Sequence, residues 1–174
     1  AKNAILAGVD SIEHGHGCDQ EVIDMMVERG VALVPTIASD VAINEHGQEA
    51  GIPAFVVEKC RPMYESLVRT LTLAICSGVE IVAGNDGGAP LVSCGDIVTE
   101  LELYVRYGMS PLQALRSATL SAAKLFGLER VGLIEPGYEA DLVVVAGDPL
   151  VSISALRQVQ FVIKGGKIVR KPAA

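Results

Sequence analysis

Apolar runs and longer amphipathic segments alternate along the first 130 residues of the chain. The runs at 31–37 and 81–83 are apolar almost throughout, which is typical of parallel strands buried on both faces, and a shorter strand is predicted at 9–13. The segments between them repeat their apolar residues at helical spacing and often end at a glycine. This pattern predicts an α/β fold in which strands and helices follow one another.

The helical spacing gives a set of predicted helices whose ends carry the usual capping signals. They lie at 1–8, 18–29, 53–77, 96–107 and 110–118, with another turn or two at 121–126. Residues 38–52 are polar and irregular, so this stretch is expected to be a lid or a substrate loop.

The pattern changes to short strands and turns near residue 131. A strand is predicted at 141–145, and a hairpin is predicted where strands 161–164 and 167–169 flank Gly165-Gly166. We therefore divide the chain into a β/α region, 1–130, and a small β unit, 131–174.

Composition and charge narrow the classes of partner. Half of the 174 residues are hydrophobic and the mean hydropathy is +0.40, yet no apolar run reaches the roughly 18 residues that span a bilayer. No membrane contact is therefore expected, and the apolar excess indicates strands buried on both faces or a surface that a partner covers. The net charge of −7 and the absence of a basic stripe argue against nucleic acid as a partner.

The four cysteines are scattered, and no two of them form a Cys-x-x-Cys pair, which argues against a structural zinc knuckle. No secretory leader is visible in the sequence, so we expect the reducing cytoplasm as the location.

Polar side chains follow the apolar run at 81–83. Asn85 and Asp86 come next, among glycines that let the backbone turn sharply and approach a ligand. Chemistry in barrels and doubly wound sheets lies at the carboxyl ends of strands, where a carboxylate can bind a metal or accept a proton. The alternative is an aspartate that closes a turn, because Asp-Gly is a common turn pair.

Two histidines, His14 and His16, follow the predicted strand at 9–13. At this spacing both side chains project from one side of an extended chain and can converge on one ion, whereas a glycine-rich loop with solvent-exposed histidines is the alternative. We interpret His14, which adjoins the strand, as a metal ligand, and for His16 the solvent-exposed alternative is favoured. His46, in the predicted loop, is a candidate for contact with substrate.

A series of motifs, in this order along nearly the whole chain, resembles the amidohydrolase superfamily, with the imidazolonepropionase and Xaa-Pro dipeptidase-like enzymes as the most similar branch. The motifs occupy residues 7–15, 31–36, 84–88, 108–128, 132–137, 140–144 and 147–150.

The resemblance implies a (β/α)₈ barrel with a small β-sandwich, of which this chain would carry about three β/α units and part of the sandwich. It implies a divalent metal, expected to be zinc, whose activated water hydrolyses an amide, peptide or cyclic amide bond. His14 is then the metal-ligand histidine at the end of the sixth strand. Asp86 is the aspartate at the end of the eighth strand, which binds metal and transfers the proton.

Two departures from the family pattern concern the substrate contacts. The family usually has Thr where this chain has Asn85, and many members have a His-Gly pair where this chain has Cys94-Gly95. Together with His16 and His46, Asn85 and Cys94 are our candidate substrate-binding residues.

Other ligands of the family have no counterpart in this sequence, namely the first-strand His-x-His, the fourth-strand lysine and the fifth-strand histidine. The chain also begins inside a helical pattern without a cap, so we expect it to be the C-terminal part of a longer amidohydrolase. The expected partners are a small amide or dipeptide substrate and either the missing part of the barrel or a second copy of the chain.

Two alternatives to this interpretation stay open. One is a catalytically inactive module that self-associates to cover its open barrel edges. The other is an enzyme that builds its site across a dimer from two copies of His14, His16 and Asp86.

Overall fold

The computed structural model describes residues 1–172. Its elements, in chain order, are α1 (Lys2–Ala7), β1 (Ser11–Glu13), α2 (Gln20–Arg29), β2 (Ala32–Val34), α3 (Ile37–His46), α4 (Ala54–Ser77), α5 (Ile97–Arg106), α6 (Pro111–Ser117), α7 (Leu120–Leu125), β3 (Leu142–Val145), a 3₁₀ helix (Ile153–Arg157), β4 (Val159–Lys164) and β5 (Lys167–Arg170).

Strand β2 lies at the centre of the β/α region. It pairs in parallel with β1, where Ile12 lies opposite Leu33. On its other side, the Leu33 N–H donates to the Glu80 carbonyl and the Leu33 carbonyl accepts from the Val82 N–H, each at 2.9 Å. Leu33 is fully buried, as expected for a strand covered on both faces.

The predicted strand at 81–83 is reduced to a single bridge, between Ile81 and Leu33, in the part of the chain that the structure describes. The next N–H, that of Ala83, donates to the Ser117 carbonyl at the end of α6, at 3.0 Å. That N–H faces away from β2, because successive N–H groups of a strand point to opposite sides. The next donor on β2 would be Pro35, which has no N–H, so the pairing ends at this bridge. An apolar run indicates burial but not the partners of its hydrogen bonds, which is why the sequence overestimated the strand.

The predicted loop at 38–52 is wrong for its first part, because Ile37–His46 is the helix α3. Asp40 occupies a buried position of α3 near the apolar Ile37 and Val41, so the helical period is hidden in the sequence. The first N–H groups of α3 are satisfied by the distant Glu100, and no local pattern could reveal that contact.

The other predicted helices are confirmed to within a few residues, and their caps explain their bounds. The Asp19 carboxylate accepts the Val22 N–H at 3.0 Å at the start of α2, and Asp96 caps α5. Ser110 and Gln113 form a reciprocal capping box at the start of α6, directly before a proline.

The small β unit is an antiparallel sheet in the order β3-β4-β5, and its hairpin turns at Gly165-Gly166 as predicted. Ile153, in the 3₁₀ helix, is buried in the main hydrophobic core. Arg157, in the same helix, donates to both carboxylate oxygens of Glu102 on α5, at 3.0 and 2.6 Å. These contacts attach the β unit to the β/α region. Residues 173–174 of the predicted β unit lie outside the described residues.

Among residues 1–172, no helix combines the length and the apolar character that crossing a membrane requires.

Candidate active site

Three strand ends lie side by side at one edge of the β/α region, and each carries a residue with positive φ. His14 follows β1 with φ 65°, Thr36 follows β2 with φ 51°, and Asp86 follows the 81–83 segment with φ 50°. Non-glycine residues seldom adopt this conformation, and where they do they cluster at functional sites. This shared feature marks the strand ends as the candidate site.

The loop after β1 is held closely against its neighbours. A Cβ added to Gly15 would lie 2.7 Å from Cδ1 of Leu33 and 3.2 Å from Cγ2 of Thr70. Two residues later, the Gly17 N–H donates to the Ser66 hydroxyl of α4 at 2.9 Å. These contacts fix the backbone on both sides of the two predicted site histidines.

The hydrogen bonds of Thr36 determine which ring nitrogen of His14 carries a proton. The Thr36 hydroxyl donates its one hydrogen to the Pro35 carbonyl at 2.7 Å. The same oxygen lies 2.6 Å from Nδ1 of His14, and the assignment that satisfies both contacts has Nδ1 donate to it, so that Nδ1 is the protonated nitrogen of the neutral ring. Nε2 of His14 therefore keeps its lone pair, which is the form that ligates a metal.

The second histidine is held by a carboxylate. Nε2 of His16 lies 3.1 Å from Oδ2 of the buried Asp40 on α3. The ring centroids of His14 and His16 are 5.9 Å apart, so the structure brings both predicted histidines together. His16 is less exposed than the sequence indicated, since 27% of its side chain is accessible.

Asp86 is exposed at the start of a tight loop that Asn85 closes. Nδ2 of Asn85 donates to the carbonyls of Ser93 and Asp96, at 3.2 and 3.0 Å. A Cβ on Gly87 would lie 2.8 Å from Cα of Cys94, so the two arms of the loop are in contact. The structure thus places the predicted residues Asn85, Asp86 and Cys94 in one loop, with the amide hydrogens of Asn85 bound to that loop.

His46 lies apart from the other candidates. It is the exposed last residue of α3, about 14 Å along the helix axis from Ile37 at a rise of about 1.5 Å per residue.

Sequence reasoning missed three polar residues behind the site, Thr36, Asp40 and Glu100. Thr36 had a signal, because it is the first polar residue after an apolar run. Asp40 and Glu100 had none, since their partners lie 24 and about 60 residues away.

Glu100 is fully buried between α5 and the N-terminus of α3. Burial raises the pKa of its carboxyl to about 7, against the opposing effect of hydrogen bonds from the Ala38 and Ile37 N–H groups and from Tyr104. Tyr104 is itself buried, and burial together with the neighbouring Glu100 raises its pKa well above the ordinary value. The Val82 carbonyl, 3.4 Å from the Tyr104 hydroxyl oxygen, is a second possible acceptor for the single hydroxyl hydrogen, which links this buried group to the segment before Asp86.

The donor set suits a divalent ion in part. His14 offers an unprotonated imidazole nitrogen and Asp86 a carboxylate, both of which are common zinc ligands. Within residues 1–172, however, no group of three or more His, Cys, Asp or Glu side chains is arranged to hold a metal ion. The described residues therefore do not form a complete metal site.

Comparison with known proteins gives consistent matches over nearly the whole chain. The model of the Amidohydrolase family matches residues 1–169. Ochratoxinase of Aspergillus niger is 32% identical over 176 aligned positions, which cover 97% of this chain and 35% of that protein.

Solved structures agree in fold. A crystal structure of a Xaa-Pro dipeptidase with bound methionine has a TM-score of 0.87 at 38% identity, covering 97% of this chain and 42% of the other. A putative prolidase from Bifidobacterium longum has a TM-score of 0.90 at 34% identity, covering 99% and 44%. The chain thus spans less than half the length of these relatives.

Proposed function

Because this chain belongs to the amidohydrolase family, we propose that it is part of a divalent-metal-dependent hydrolase that cleaves a C–N bond in a small amide, dipeptide or cyclic amide. The observation that carries the proposal is the contact between His14 and Thr36, which keeps Nε2 of a strand-end histidine unprotonated. This arrangement serves a metal ligand, because a ligating histidine commonly donates its other ring N–H to a fixed acceptor.

In this proposal His14, through Nε2, and Asp86, through its carboxylate, hold the metal. A bound divalent ion, with zinc as the expected one, would supply a water of lowered pKa. Asp86 accepts a proton from the attacking water and delivers it to the leaving amine. The remaining ligands are proposed to come from residues outside this chain, in the rest of the barrel.

The substrate contacts are proposed from position. His16, held by Asp40, lies beside His14, and Cys94 lies in the same loop as Asp86. Asn85 serves chiefly to close that loop, and its carbonyl oxygen is the atom proposed to face substrate. His46 would require a substrate that extends along α3.

The relatives guide the choice of substrate. Two of the similar structures are named Xaa-Pro dipeptidase and putative prolidase. We therefore propose dipeptides that end in proline as the first substrates to assay, before other N-acyl amino acids and cyclic amides.

Asp86→Asn in the full-length protein tests the proposal. We expect the folded variant to lose hydrolysis by about 10²-fold or more, because the amide cannot accept the proton, and to bind less zinc per chain. Elemental analysis of the purified protein and a hydrolysis assay on the substrate panel measure both effects.

Asp10→Asn is the matched control, because Asp10 is an exposed aspartate that precedes β1 at its opposite end. We expect it to keep both metal content and activity. Full activity and full metal content in Asp86→Asn would refute the proposed role of Asp86.

A further inference from the structure

Thr36 occupies the N-cap position of α3, yet its side chain makes no capping hydrogen bond. A threonine at this position ordinarily accepts the N–H of the second or third helical residue, here Ala38 or Ser39, from an extended backbone. Thr36 instead has φ 51°, and its hydroxyl is engaged by Pro35 and His14.

Glu100, on α5, takes over the capping of α3. Its Oε1 accepts the Ile37 N–H and its Oε2 accepts the Ala38 N–H, each at 2.8 Å. These are the first two N–H groups of the helix, which have no acceptor within it. Burying a carboxyl is unfavourable, and a cap from the adjacent Thr36 would satisfy the Ala38 N–H without it. Glu100 therefore caps α3, which Thr36 cannot do while its hydroxyl is bonded to His14.

Loss of Glu100 would leave the buried Ala38 N–H without its acceptor, which is destabilising. The Thr36 hydroxyl could satisfy this N–H if Thr36 turned to the usual N-cap conformation, but it would then move away from Nδ1 of His14. We propose that Glu100 is a positioning residue that caps α3 so that Thr36 remains available to orient His14 and fix its tautomer. The proposal rests on the proposed function of His14 as a metal ligand.

The test is the tautomer of His14 in the full-length, metal-free protein, in alkaline buffer. It is observed from the ring-nitrogen NMR shifts after ¹⁵N labelling of histidine, with His14→Gln to assign the signals. We expect the Nδ1-protonated form in the wild type and a mixture with the Nε2-protonated form in Glu100→Gln, whose amide has one acceptor oxygen in place of the two that the carboxylate uses.

A double-variant comparison separates positioning from a general loss of stability. Thr36→Val has already lost the acceptor for His14, so adding Glu100→Gln to it should change the tautomer no further. Ser110→Ala is the matched control, since it removes the N-cap of α6 and should leave the His14 tautomer unchanged.

A folded Glu100→Gln protein with the wild-type tautomer would overturn the proposal. If that variant does not fold, Glu100→Asp replaces it, because it keeps the charge but is one methylene too short to reach both N–H groups, and the same two outcomes apply. The measurement needs neither metal nor substrate, so failure of the proposed hydrolase function and failure of this positioning role are distinguishable.

Discussion

At the scale of single residues, the buried Glu100 gives a prediction about pH. Burial raises the pKa of its carboxyl from 4.5 to about 7 in the folded chain. The folded state therefore holds the proton more tightly than the unfolded state, and the contribution of Glu100 to the free energy of unfolding is complete below pH 4.5 and is lost as the pH rises through 7. The difference between these two pKa values corresponds to about 3 kcal/mol.

Urea denaturation at a series of pH values measures this contribution. We expect the free energy of unfolding of the wild type to decline between pH 4.5 and 7 relative to that of Glu100→Gln, which does not titrate. The same pH profile in both proteins would contradict a raised pKa for Glu100.

The candidate residues that the sequence identified are those whose signal is local. His14 follows the short predicted strand at 9–13 and Asp86 follows the apolar run at 81–83, so their position at strand ends could be predicted, and the structure places them there. Thr36, Asp40 and Glu100 could not be assigned roles, because these depend on contacts with residues at least 22 positions away. The metal and proton-transfer roles themselves stay predictions.

At the scale of elements, the loop after β1 gives a matched pair of glycine substitutions. Gly15 and Gly17 have similar positive φ, 81° and 73°, but a Cβ on Gly15 would meet Leu33 and Thr70, whereas a Cβ on Gly17 would meet nothing within 4 Å. We expect Gly17→Ala to cost about 1 kcal/mol for backbone strain alone. Gly15→Ala should cost about 1–3 kcal/mol more, because the added methyl group overpacks the core.

Thermal or urea denaturation gives both values, and the difference between the two variants isolates the packing contribution. Equal losses would show that the loop after β1 can move away from β2 and α4 without cost. In that case the close contact at Gly15 would not fix the position of His14.

Helices and strands were predicted correctly where capping residues and hydrophobic periodicity are visible in the local sequence. The prediction failed where contacts between distant residues determine the structure. The signals for the helix start at Ser110 and for the hairpin at Gly165-Gly166 are complete within a few residues, and both elements are confirmed. Helix α3 was missed because a buried Asp40 breaks its apolar period and a distant Glu100 caps it. The strand at 81–83 was overestimated because the ladder with β2 stops at Pro35, which has no N–H to donate to this segment.

At the scale of the whole molecule, the small sheet has apolar side chains exposed on both faces. Val143 is 59% exposed on one face, and Val144 and Ile168, 43% and 61% exposed, lie on the other. Exposed apolar area of this kind favours association. We expect the 174-residue chain, expressed alone, to show a mass that rises with concentration, and the double variant Val143→Thr/Ile168→Thr to show less of this rise.

Sedimentation velocity over a range of concentrations measures the effect. Val27→Thr is the control, because Val27 is an exposed valine on α2, 47% accessible and outside the sheet, and its substitution should leave the association unchanged. A wild-type chain that stays monomeric throughout would argue against the self-associating module as an alternative function.

The left-handed conformations of His14, Thr36 and Asp86 set stability and activity against each other. A non-glycine residue in this region costs about 1–3 kcal/mol, so glycine at any of the three positions relieves strain while it removes a group of the proposed site. Selection for the amount of folded protein would thus favour the substitutions that are most damaging to hydrolysis. Laboratory evolution that selects for abundance alone would therefore accumulate glycine at these three positions early. The proposed site would be lost before the fold is affected.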